Sequence, residues 1–60
     1  MMWNFKELHD DEGVIVINLH NISYFYKDIE DDKTYLGMSN GTALVVKESV
    51  EEIYEMVKWL

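Results

Sequence analysis

The absence of any cysteine from so short a chain constrains its fold more than any other feature. Sixty residues form one domain, spanning 1–60. A chain of that size buries only about 60% of the surface its unfolded form exposes, and its core yields at best ~3–5 kcal/mol. Small folds therefore need a staple, and without cysteine neither a disulfide nor a thiolate metal site can provide one. The remaining common staple is self-association, so a homodimer is expected.

Charge narrows the partners. Twelve acidic side chains face five lysines and no arginine, for a net charge of −7. Binding a duplex needs cations that displace counterions from phosphates, so direct nucleic-acid binding is not expected. An acidic balance favours solubility and attracts a basic surface on another protein. No stretch approaches the ~18 apolar residues of a membrane span. Met1-Met2-Trp3-Asn4-Phe5, followed by Lys6 and Glu7, lacks a signal peptide's layout, so the chain is expected to be cytoplasmic.

Strand patterns fill the first three quarters of the chain. Trp3 to His9 alternates loosely, with Trp3 and Phe5 on one side. Asp10-Asp11-Glu12-Gly13 then supplies carboxylates for local N–H groups and a glycine for positive φ, which predicts a hairpin. Val14-Ile15-Val16-Ile17-Asn18-Leu19 is continuous and β-branched, the pattern of a strand buried on both faces at the centre of a sheet or at an interface. After the break at His20-Asn21, Ile22, Tyr24 and Tyr26 fall on one face and Ser23, Phe25 and Lys27 on the other. This third element either continues the second through a bend or stands as a separate strand. Asp28 to Lys33 reads as a polar, mobile loop. Thr34 to Met38 reads as a strand in which Gly37 marks a bulge or a close approach. Asn40-Gly41 predicts a two-residue type I′ turn leading to a strand over Ala43 to Val46.

The last segment is helical. Ser49 and Glu52 have capping-box spacing, Glu51 and Glu52 suit the positive end of the dipole, and Lys58 lies near the last turn. At ~100° per residue, Val50, Ile53, Tyr54, Val57 and Leu60 share one stripe over about eleven residues. The expected fold is α+β: a small antiparallel sheet of about four or five strands with one C-terminal helix packed on one face.

Ile17-Asn18-Leu19-His20-Asn21-Ile22, then Asn40-Gly41-Thr42, then Val45-Val46-Lys47-Glu48-Ser49-Val50-Glu51-Glu52-Ile53 resemble the flagellar FlbD-like family of very short proteins. The resemblance rests chiefly on residues 40–53. It implies a non-enzymatic accessory protein associated with the flagellar motor. The segment Tyr24-Phe25-Tyr26 and the loop Asp28 to Lys33 depart from that family, whose turn is plain.

Catalytic chemistry finds little to build on. Among the serines, Ser39 and Ser49 belong to a turn and a cap, leaving Ser23. His9 and His20 are separated by the first hairpin, and sixty residues rarely enclose a pocket of ~300 Å³. His9 with Asp10, Asp11 and Glu12 offers metal donors but lacks a spacing that fixes their geometry. Glycines 13, 37 and 41 stand singly, without the spacing of a phosphate loop. No enzyme activity, metal or cofactor is expected.

Binding surfaces are more informative. Tyr24, Phe25 and Tyr26 place aromatic rings on both faces of one strand, and a sheet covered on one side by a helix can bury only one of those faces. The other face is expected to meet a second copy in a dimer, or else a different protein. On the helix, Glu52, Glu55 and Trp59 lie opposite the core stripe with Met56 on its flank; Trp59 either anchors an interface or folds back over the last turn. Two functions fit these surfaces: a homodimeric protein-binding or regulatory module of the FlbD-like kind, or a phage- or mobile-element-encoded inhibitor of a defence system. In the second, Asp28 to Asp32 and Glu48 to Glu55 would mimic nucleic-acid phosphates. A third reading is a small-ligand binder using a cleft between subunits.

Overall fold

The acidic turn closes as its composition dictates: one oxygen of Asp10 accepts the backbone N–H of Glu12 at 2.8 Å and of Gly13 at 3.0 Å. Gly13 takes positive φ there. The computed structural model describes residues 4–60, and Trp3 lies outside the described residues. The turn joins β1 (Phe5–Asp10) to β2 (Gly13–Asn18) in unbroken antiparallel register from Phe5↔Asn18 to Asp10↔Gly13.

Asn18 ends the second strand. Its side-chain oxygen accepts the His20 N–H at 3.0 Å and the Asn4 amide at 2.8 Å, which caps a short 3-10 turn over Leu19–Asn21. The third element is therefore a separate strand, β3 (Ile22–Lys27), followed by β4 (Thr34–Met38), β5 (Ala43–Val46) and α1 (Val50–Val57). The fold is α+β, with five strands and one C-terminal helix among the described residues. The strands divide into a two-stranded sheet, β1-β2, and a three-stranded antiparallel sheet, β3-β4-β5, rather than joining in one. A backbone bond from the Lys47 N–H to the His9 carbonyl, 2.8 Å, links β1 to the end of β5.

Both sheets and the helix share one core. Leu8 and Ile17 enter it from the first sheet, Leu19 from the turn, Leu36 and Val46 from the second sheet, and Ile53 from the helix. Leu8, Leu36 and Ile53 are fully enclosed. Burying each stabilises the fold by ~1.5–3 kcal/mol relative to exposure.

Four expectations need correction. The run Val14–Leu19 is not at the centre of a sheet: within one copy it is buried on one face only, because β2 lies at the margin of a two-stranded sheet, and Val14 and Val16 are exposed. The alternation in β3 is interrupted by a register shift between Ile22 and Tyr24, so Ile22 packs against the core on the same side as Phe25. The Asn40-Gly41 hairpin has a three-residue loop. Only Gly41 takes positive φ, its N–H bonds the Met38 carbonyl at 3.0 Å, and the Met38 N–H bonds the Thr42 carbonyl at 2.8 Å. That is a turn followed by a left-handed glycine, not a type I′ pair. Finally, the helix has eight residues and docks through Ile53, Met56 and Val57; Tyr54 is exposed, and Leu60 lies beyond its end. The capping box forms as expected, with Ser49 and Glu52 exchanging bonds of 3.1 Å.

Candidate functional site

Strand register assembles the main surface. Tyr26 sits directly opposite Tyr35 across β3 and β4, and Tyr24, two residues along β3, shares their face. The Tyr26 and Tyr35 rings stack at 5.4 Å and 11°, and Tyr24 and Tyr26 at 6.2 Å and 15°. These separations are typical of offset aromatic pairs. Gly37 makes room for the row: a Cβ built on it would meet the Tyr24 ring at 2.1 Å. Gly37 is therefore a close-approach point, whereas the strand irregularity sits in β3. Tyr24 and Tyr26 remain 58% and 46% exposed, and Ala43 and Val45 of β5 complete the face.

The acidic loop fastens one end of this row. An oxygen of Asp28 accepts the Glu30 N–H at 2.8 Å, and Asp31 accepts the Lys33 N–H at 3.1 Å. The Tyr35 hydroxyl donates to the other Asp31 oxygen at 2.6 Å. That bond pushes the Tyr35 phenol up to about 12 and holds Asp31 below the usual carboxylate range. Lys27 pairs with Asp32 at 2.8 Å, where Asp32 takes a positive φ of 61°. The hydrogen bond from Lys27 to Asp32 raises the lysine above its ordinary value. Ile29, at the loop tip, is almost wholly exposed.

The residues singled out from sequence do not converge on one site. Tyr24 and Tyr26 lie on the tyrosine face, but Phe25 points the other way and packs against the core because strand side chains alternate. Glu52 is occupied as the helix cap, and Met56 packs partly against the core. Glu55 binds Lys58 at 2.9 Å. Trp59 does not fold back: it is 80% exposed, with the Lys58 ammonium 5.4 Å from its ring centroid. With Lys6, Glu55, Met56 and Leu60 it borders a shallow groove of about 330 Å³. Sequence patterning missed Tyr35; its alternation with Leu36 is visible, but its place opposite Tyr26 depends on the β3–β4 register.

Two other clefts exceed the size expected of so short a chain. One, of about 680 Å³, is bordered by Lys27, Lys33 and Lys47 together with Asp11, Asp32 and Glu51. Lys27 is already paired with Asp32, and Lys33 lies 4.0 Å from Asp11. The other, of about 470 Å³, contains His9 and Glu48. The His9 ring Nδ1 lies 2.6 Å from one Glu48 oxygen, and the other accepts the backbone N–H of His9 at 2.9 Å. Burial pushes the Glu48 carboxyl up, but the His9 bonds together outweigh it and hold the group below its ordinary value. His9 thus ties β1 to the start of the helix. Among the described residues no group of three or more His, Cys, Asp or Glu side chains is arranged to hold a metal, and no helix is long and apolar enough to cross a membrane.

No protein-family model, curated protein or solved structure matches the chain.

Proposed function

We propose that the protein is a non-enzymatic protein-binding module, homodimeric and of the FlbD-like kind, that receives its partner on the tyrosine face of β3-β4-β5. The observation that carries this reading is the stacked row Tyr24–Tyr26–Tyr35, left uncovered by the described residues on the outer face of the sheet. Rings already held by stacking lose little freedom on binding, and tyrosine offers both apolar area and a hydroxyl. Glu30, Asp31 and Asp32 form an acidic rim at one end, which suits a partner with a basic margin. The resemblance of residues 40–53 to the FlbD-like family adds an accessory role at the flagellar motor to this reading.

The second reading, a phosphate-mimicking inhibitor, draws on the exposure of nine of the twelve acidic residues. Against it, Asp28, Asp31 and Glu52 already accept hydrogen bonds within the chain. Affinity capture from the native host with the unaltered chain and with Tyr24→Ser/Tyr26→Ser tests the choice. Loss of the captured protein in the double variant, with retention in the unaltered chain at raised salt, supports the tyrosine face. Equal capture by both chains, released steeply by salt, supports charge mimicry instead.

A further inference from the structure

β2 and β3 each present one edge with no neighbouring strand among the described residues. The two edges differ in how they resist pairing. β3 carries a register shift between Ile22 and Tyr24, ends in Lys27 and runs into the acidic loop. Bulges, lysines and charge are the usual devices that keep an edge single. β2 has none of them. Its register with β1 is unbroken, and Gly13–Asn18 contains no charged side chain. Its outward valines, Val14 and Val16, are 58% and 61% exposed.

The hydrogen-bond phase of the hairpin shows what this edge offers. The Leu19 N–H donates to the Asn4 carbonyl at 2.8 Å, extending the β1–β2 ladder by one step. Bonded positions alternate along an antiparallel pair, so Ile17, Ile15 and Gly13 turn their backbone groups toward β1. Val14 and Val16 turn theirs toward the open edge. The residues with exposed side chains thus also hold the free donors and acceptors.

We infer that the β2 edge pairs with the β2 edge of a second copy, antiparallel about a two-fold axis at Val16. The inference rests on the homodimeric reading above and locates its interface, leaving the tyrosine face free for a different protein. Two arguments select a second copy as the occupant. Copies that each carry a charge of −7 repel one another, so they must meet through an uncharged element, and β2 supplies it at an open edge. An antiparallel strand pair is also self-complementary, as a two-fold contact requires. With the axis at Val16, the two Val16 side chains meet on one face, and each Val14 lies opposite the other copy's Asn18. One strand pair is a small interface, below about 1,200 Å² unless flanking residues join it, so association in the micromolar range is expected.

Sedimentation equilibrium on three chains tests this. The unaltered chain should be dimeric at high micromolar concentration. Val16→Lys places lysine opposite Glu7 within the hairpin, a favourable cross-strand pair, yet opposite a second lysine in the dimer. It should weaken association about tenfold or more while leaving the thermal transition in place. Tyr24→Ser/Tyr26→Ser should remain dimeric. A dimeric Val16→Lys chain, or a monomeric tyrosine double variant, overturns the β2 interface while the homodimeric reading stands. A monomeric unaltered chain overturns both. Should Val16→Lys fail to fold, a synthetic chain with an N-methyl group on Val16 removes the outward donor and keeps the side chain; it should be monomeric, and a dimer overturns the inference.

Discussion

On the three-stranded sheet, the exposed apolar surface consists of rings that stack on one another, and the Tyr35 hydroxyl donates to Asp31. On the two-stranded sheet it consists of Val14 and Val16, which have no polar handle and lie on an edge with no neighbouring strand among the described residues. Both surfaces arise from the same shortage: among the described residues, one helix and two small sheets enclose six core side chains and leave no element to cover the outer faces. The difference suggests different roles. A hydroxylated aromatic row tolerates solvent and suits a partner that comes and goes. A bare β-branched edge is an aggregation hazard unless a strand lies against it.

Both sheets contribute side chains to one core, and the largest expected effect comes from removing them. Leu8→Ala and Leu36→Ala act from different sheets, and each should cost about 2–5 kcal/mol, comparable to the whole stability of so small a domain. Both should abolish the single cooperative melt by circular dichroism. If Leu8→Ala leaves the β3-β4-β5 signals intact, the sheets are separate folding units and do not share a core.

Smaller changes separate the surfaces. Ser49→Ala removes half of the capping box and should cost ~1 kcal/mol by thermal melting, without altering either sheet's outer face. Gly37→Ala drives the Tyr24 ring off Gly37 and should break the Tyr24–Tyr26 stack. Because that ring can swing into solvent, the stability cost should stay near ~1 kcal/mol, with a clear change in the near-ultraviolet aromatic signal. An unchanged aromatic spectrum would mean that the row is not ordered.

Titration gives the finest distinction. Glu48 binds a proton less readily folded than unfolded, so the unfolded chain takes up more protons across that range. Its stabilising contribution is present above the ordinary value of 4.5 and is lost as pH falls through the lower folded value. Glu48→Gln should flatten the acid limb of the stability curve. At the other sheet, Tyr35 should ionise near pH 12, and Asp31→Asn should return it toward 10 in an ultraviolet titration.

Much of this fold is legible in the sequence because it depends on bonds between near neighbours. The Asp10 turn, the Ser49–Glu52 box and the hairpin around Gly41 each close within a few residues. The illegible parts depend on distant partners. Nothing in Val14–Leu19 states that it will lie at a sheet margin, and the face taken by Ile22 depends on how β3 slips against β4. The same holds for the site. Tyr24 and Tyr26 are visible as a pair, whereas Tyr35 joins them only through the register, and Phe25 leaves them through strand alternation. The helix stripe is displaced toward Met56 because docking against the sheets, not periodicity alone, sets which side of an amphipathic helix turns inward.

Surface that one copy cannot enclose calls for cover by another molecule, and on the proposed reading the β2 edge is covered by a second copy. Amide hydrogen exchange of the unaltered chain, followed from dilute to concentrated solution, tests it most directly. The Val14 and Val16 amides should become strongly protected as concentration rises, while the open edge of β3 exchanges at a constant rate. Protection at β3 instead, or no dependence on concentration at either edge, would contradict it.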